Sequence, residues 1–197
     1  MLPNVTMESE GTPRRTDAPN RVYYFTIGTG TWHGTATFRV TSWRRFLRSP
    51  IGVTNKLLVT TMHLIERLTG PLRQESTIVA KPDVEEFGRA DNVVRMTKFG
   101  VTLYLLEEQY VLNGNGTGVT VRGHERLGPV PGLFTRTLTY SAEVHDDGMA
   151  ATYRMPLLGS DWIGEYRVSA DRGSLFAELL CDWGRATEET RRISAPA

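Results

Sequence analysis

The chain has 197 residues, 40% of them hydrophobic and 23% charged, which is the length of one large domain and the composition of an ordinary globular protein. Lys and Arg total 23 and Asp and Glu 22, so the net charge of +1 argues against a dedicated nucleic-acid binder, which would show a basic excess. No apolar run approaches the ~20 residues that span a bilayer, and a single cysteine, Cys181, excludes an internal disulfide framework and a cysteine-cluster metal site.

Residues 1–20 are polar and carry Pro3, Pro13 and Pro19. They read as a flexible arm without the apolar core of a secretory signal, and with the lone thiol this points to a cytoplasmic protein. The expected domain runs over residues 21–193, and 194–197 read as a tail. Within it the dominant pattern is period two. Trp32, Gly34, Ala36, Phe38 and Val40 share one face of a half-buried strand. Residues 44–70 break the pattern: Leu58, Met62 and Ile65, with Leu57, Leu64 and Leu68, recur at helical spacing from Asn55 to Thr69. Gly70 and Pro71 stop that helix, which is expected to act as a plug or a lid.

Strand patterns then return at Val101–Leu106, Val119–Arg122 and Thr135–Val144. In the last of these Leu138, Tyr140, Ala142 and Val144 share a face. Further faces are Met149, Ala151, Tyr153 and Met155; Trp162, Gly164, Tyr166 and Val168; and Leu175, Ala177, Leu179, Cys181 and Trp183. Ala186–Ile193 is Thr-rich and could close the sheet. Asn113–Gly116, His145–Gly148 and Asp171–Gly173 supply the Gly and Asn that hairpin turns require. Such spacing predicts an all-β, mainly antiparallel, closed barrel of about eight to ten strands with one early helical insertion.

Trp32-His33-Gly34 and Trp162-Ile163-Gly164 place an indole two residues from a glycine within a strand, and Trp183-Gly184 adds a neighbouring pair. Glycine lets a closed sheet bend, and the indole fills space nearby. Barrels of this size hold one small ligand. A lining of Trp32, Phe38, Met62, Tyr140, Met149, Tyr153, Met155, Trp162, Tyr166 and Trp183 would suit an apolar, irregular molecule.

Gly30-Thr31-Trp32-His33-Gly34-Thr35-Ala36-Thr37-Phe38 resembles the Gly-x-Trp opening strand of the calycins, which include the lipocalins, the fatty-acid-binding proteins and nitrobindin-like barrels. The resemblance covers about ten residues plus the strand–turn rhythm. In lipocalins the opening Trp is backed by a basic residue near the barrel's end, a role the resemblance would give to Arg185, Arg191 or Arg192. The helix falls early, unlike the C-terminal helix of lipocalins and loosely similar to the two-helix lid of fatty-acid-binding proteins. No His follows His145, so the haem ligand of nitrobindin-like barrels has no counterpart.

Nucleotide and nucleophile motifs are missing. Gly114–Gly118 lies between strands without a following helix, no Gly-x-Ser-x-Gly elbow occurs, and His33, His63, His124 and His145 lack metal-ligand spacing. No cofactor or metal is expected. Polar groups within or beside the strands remain: Glu107-Glu108, His124-Glu125, Glu165 and Arg167, and Glu178 and Asp182. The last two are solvated if the apolar side of their strand faces inward. If the strand slips by one residue they become buried acids.

Tyr104, Glu178, Asp182 and His124 are therefore the candidate catalytic residues. The leading expectation is a cofactor-independent cyclase or isomerase, pericyclase-like, acting on a polyketide- or terpenoid-like substrate of secondary metabolism. It would work as an entropy trap with a few hydrogen bonds, on a fold-level analogy with allene oxide cyclase and polyketide [4+2] cyclases. The alternatives are a non-catalytic carrier or sensor of a hydrophobic ligand, and an interaction module whose barrel is filled by its own side chains. The expected partner is a small hydrophobic molecule, with no nucleic acid and no membrane span, and a homodimer is left open.

Overall fold

The computed structural model describes residues 29–81, 89–112, 118–128, 135–145 and 149–194. The expected arm, and the turns at 113–116 and 146–148, lie outside them. Ten strands and two helices follow in order: β1 (Gly30–Val40), α1 (Trp43–Arg48), α2 (Val53–Thr69), β2 (Leu72–Lys81), β3 (Arg89–Lys98), β4 (Val101–Leu112), β5 (Gly118–Leu127), β6 (Thr135–His145), β7 (Ala150–Leu157), β8 (Ser160–Val168), β9 (Ser174–Leu180) and β10 (Gly184–Ser194). Each strand pairs antiparallel with its sequence neighbours, and β10 pairs with β1, so the sheet closes into a ten-stranded barrel. The expected closed barrel with an early helical insertion is the fold observed, and Ala186–Ile193 does close the sheet.

Closure removes both sheet edges, so the alternation along each strand sorts residues into interior and exterior. Trp32, Ala36 and Phe38 point inward on β1, and Leu138, Ala142 and Val144 on β6. Two strands carry no clear hydrophobic alternation. The inward residues of β2 are Leu72, Gln74, Ser76 and Ile78, and those of β3 are Ala90, Asn92, Val94 and Met96. These strands are held by pairing with β1 and β4 on either side.

Two hairpins use tight turns whose central residues both have positive φ: Phe99 (51°) with Gly100 (79°), and Leu158 (54°) with Gly159 (81°). That is the backbone twist that suits a two-residue connection. Gly164 sits beneath the Tyr153 ring of the neighbouring strand, so the missing side chain makes room for an aromatic. Trp162 does the same over Gly184.

The helical insertion comprises two helices, because Ser49, Pro50 and Gly52 interrupt it. It closes one end of the barrel. Phe46 of α1 joins Phe38, Trp162 and Trp183 in a buried aromatic cluster, with ring centroids 4.9 Å apart for Phe46–Trp183 and 5.2 Å for Trp162–Trp183. Both indole N–H groups are satisfied, by Leu157 O at 3.0 Å and Ser160 Oγ at 2.9 Å. The face of α2 that meets the barrel is Val59, Met62 and Glu66, whereas Leu57, Leu64 and Leu68, expected in its packing face, are exposed. The reason is polar. β1 outruns its pairing with β2, which ends at Ala36–Leu72, leaving the N–H groups of Phe38 and Val40 without a strand partner on that side. Glu66 accepts the Phe38 N–H and His63 Nδ1 accepts the Val40 N–H at 3.3 Å, and these bonds set the helix rotation. Lys98 of β3 donates to Thr69 O, Gly70 O and Pro71 O at 2.8–2.9 Å, capping the C-terminus of α2.

Candidate functional site: the barrel cavity

A cavity of about 160 Å³ lies inside the barrel. It runs between Trp32 and Tyr166 at one end and Met62, Leu157 and Leu158 at the other. Most of its wall is apolar, as the inward faces dictate. Two hydrogen-bonded carboxyl groups interrupt that wall.

The first is centred on Glu108 of β4. Its Oε2 accepts from Asn92 Nδ2 at 3.0 Å and from Tyr110 OH at 2.6 Å, and its Oε1 accepts from Tyr140 OH. Asn92 is fixed in turn by Ser76 Oγ, 2.9 Å from its Oδ1. A chain of hydrogen bonds therefore crosses β2, β3, β4 and β6. Burial pushes the Glu108 carboxyl above its ordinary value, while its three donors pull it back. The second group is on β10 and β2. Glu188 Oε2 accepts from Gln74 Nε2 at 2.8 Å, and burial together with the charge of Glu108 raises the Glu188 carboxyl.

The tyrosines of the cavity are held protonated. Burial, with the nearby carboxylates, pushes Tyr104, Tyr140 and Tyr153 well above the usual phenol range. The hydroxyls of Tyr104 and Tyr153 make no hydrogen bond among the described residues, so they are available to a guest. Below them, Glu125 of β5 is fully buried, and desolvation lifts it to about 7 against the opposing charge of Arg136 and the Leu158 amide.

Of the residues predicted from sequence, the structure brings Trp32, Phe38, Met62, Tyr104, Tyr140, Tyr153, Met155 and Tyr166 together on the cavity wall. Trp162 and Trp183 are instead inside the aromatic end cluster, and Met149 packs against Trp32 and Val168 beyond the cavity. The other candidate catalytic groups are not brought to it. Glu178 faces outward and pairs with Arg185, Asp182 is exposed, and His124 is exposed beside Thr137. The apolar side of β9 faces inward, so its acids are on the outer side.

Sequence reasoning assigned no site role to Gln74, Ser76, Asn92, Glu108, Tyr110, Glu188 or Thr190, and marked only Glu108, as a polar group beside a strand. A signal for two of them existed: the alternation Tyr104, Leu106, Glu108, Tyr110 continues one face of β4 past its apolar stretch. For Gln74, Ser76, Asn92 and Glu188 none existed, because β2, β3 and β10 carry polar residues on both faces.

Fold and site together define a closed ten-stranded antiparallel barrel that holds an internal cavity with a buried carboxyl–tyrosine–amide network. A comparison with protein-family models matches none, and a search of curated proteins finds no match. No helix among the described residues is long and apolar enough to cross a membrane.

Proposed function

We propose that the protein is a calycin-like barrel that encloses a small lipophilic molecule and acts on it as a cofactor-independent isomerase or cyclase. The observation that carries this reading is the cavity itself, mostly apolar but with one carboxyl, Glu108, embedded in donors. The calycin likeness is supported by Arg192, whose guanidinium carbon lies 4.6 Å over the Trp32 ring, and by helices inserted after the first strand. A dry cavity of ~150 Å³ takes up benzene, so the space here, about 160 Å³, suits a guest on the scale of one small ring with a short substituent.

The chemistry follows from the groups present. A carboxyl with a raised pKa is a better proton carrier near neutrality than a solvated one. Glu108 would take a proton from one carbon of the guest and return it to another. The Tyr104 and Tyr153 hydroxyls would donate to an oxygen on which negative charge develops. Enclosure holds a flexible guest in a reactive shape.

The test offers ten-carbon terpenoids to the protein in deuterium oxide, following uptake by Trp fluorescence and isomerisation or deuterium incorporation by NMR. Uptake is expected for the wild type and is lost in Ala177→Leu, which fills the cavity. Turnover should fall about 100-fold or more in Glu108→Gln, with uptake kept. No uptake of any guest would remove the ligand role. Uptake without turnover would favour the carrier reading, to which the fully engaged hydrogen bonds of Glu108 also lend weight.

A further inference from the structure

The cavity wall holds two carboxyl groups, Glu108 and Glu188, and no Lys, Arg or His among the described residues that line it. A buried carboxylate without a counter-charge is costly. Glu108 is compensated in part by its three donors, but among the described residues Glu188 receives a single hydrogen bond, from Gln74. Near Glu188 two oxygens have no partner among the described residues, and one of them, the Gln74 amide oxygen, can only accept. Gln74 is 1% exposed and its Oε1 has no partner, because its amide N–H₂ is turned to Glu188. Thr190, two residues along β10 from Glu188 and also 1% exposed, has an unpartnered Oγ1. Register places Thr190 and Gln74 on either side of Gly34, in one row across β10, β1 and β2. Tyr153 senses the charge of Glu188 and offers a free hydroxyl and an aromatic face nearby.

We infer that the guest of this cavity is a small lipophilic amine, bound as its ammonium ion at Glu188 and Gln74 Oε1, with its apolar body against the tyrosine-lined wall. This rests on the enclosed-guest reading above and names the class of molecule. An ammonium group has only donors and one positive charge, so it meets both deficits at once. Water would satisfy the acceptors and a proton on Glu188 would remove its charge, but neither does both, as an ammonium ion does. A metal ion fits less well, since no group of three His, Cys, Asp or Glu side chains converges among the described residues. The aromatic walls add cation–π attraction.

The test compares 2-phenylethylamine with its neutral isostere 2-phenylethanol and with phenylacetate at pH 7.4, by calorimetry on the full chain. The amine is expected to bind about tenfold or more tighter than the alcohol, the value of a charge-assisted hydrogen bond, and phenylacetate weakest. In Glu188→Gln the preference for the amine should fall to within about threefold while alcohol binding persists. Gln74→Leu, which keeps the carboxyl but removes the orphan acceptor, should reduce amine affinity by less than Glu188→Gln. Alcohol bound as tightly as amine would overturn the cationic guest and leave the enclosed-guest reading standing. An amine preference undiminished in a folded Glu188→Gln would overturn the assigned anchor. Binding of none of the three would overturn both readings.

Discussion

Single buried acids give this barrel a pH signature. Glu125 has a folded-state pKa of about 7, raised mainly by burial. The folded protein holds that proton more tightly than the unfolded chain does. Stability is therefore full below the ordinary glutamate pKa and declines as pH rises through about 7. Replacing Glu125 by Gln keeps an acceptor for the Leu158 amide and removes the titration. Urea denaturation should find Glu125→Gln more stable than the wild type at pH 8 by on the order of 3 kcal/mol, and the two alike at pH 4. A difference that is constant across that range would reject burial as the cause. The acid was legible in the sequence as a polar residue at a strand end. Its depth was not, because only the register of β5 against β4 and β6 decides which of His124 and Glu125 faces inward.

At the scale of elements, α2 shows how a polar contact overrides an apolar stripe. Its helical span and its stop at Gly70, with φ of 80°, follow from periodicity and terminators. Its rotation does not, since Glu66 and His63 are set by the unpaired N–H groups of β1. Glu66→Ala should leave the Phe38 N–H buried and unmet, costing about 1–3 kcal/mol and speeding hydrogen exchange at that amide. Glu66→Gln, which restores an acceptor, should recover most of the loss. Equal losses in both variants would mean that the Arg39–Glu66 ion pair, not the amide bond, holds the helix. The two tight turns were hidden for a related reason. Phe-Gly and Leu-Gly lack the Asn or Asp that signals such a turn, and pairing of the flanking strands holds Phe99 and Leu158 at positive φ.

For the whole molecule, the seam between β1 and β10 joins the first strand to the last and is what makes the sheet a barrel. Gly34 lies on that seam, where a Cβ would overlap the backbone at Glu189 and Thr190. Backbone cannot swing aside as a side chain can. Gly34→Ala should therefore cost about 3 kcal/mol or more and loosen the β1–β10 amides in hydrogen exchange. Gly52→Ala is the milder comparison: nothing lies within 4 Å of its Cβ position, its φ is −59°, and its effect, a weaker N-cap for α2, should stay within about 1 kcal/mol. A tolerant Gly34→Ala would show that the seam yields.

Local pattern alone determined the closed antiparallel barrel, the early helical break and the apolar faces of β1 and β6 to β9, because period-two burial is written into neighbouring residues. The cavity's chemistry came only with closure. Glu188 meets Gln74 across 114 residues of chain and Tyr140 meets Glu108 across 32, and the local patterns of β2, β3 and β10 do not separate an inward polar residue from an outward one. Their meeting depends on how many strands close the ring and in what register, which is a property of all the pairings together.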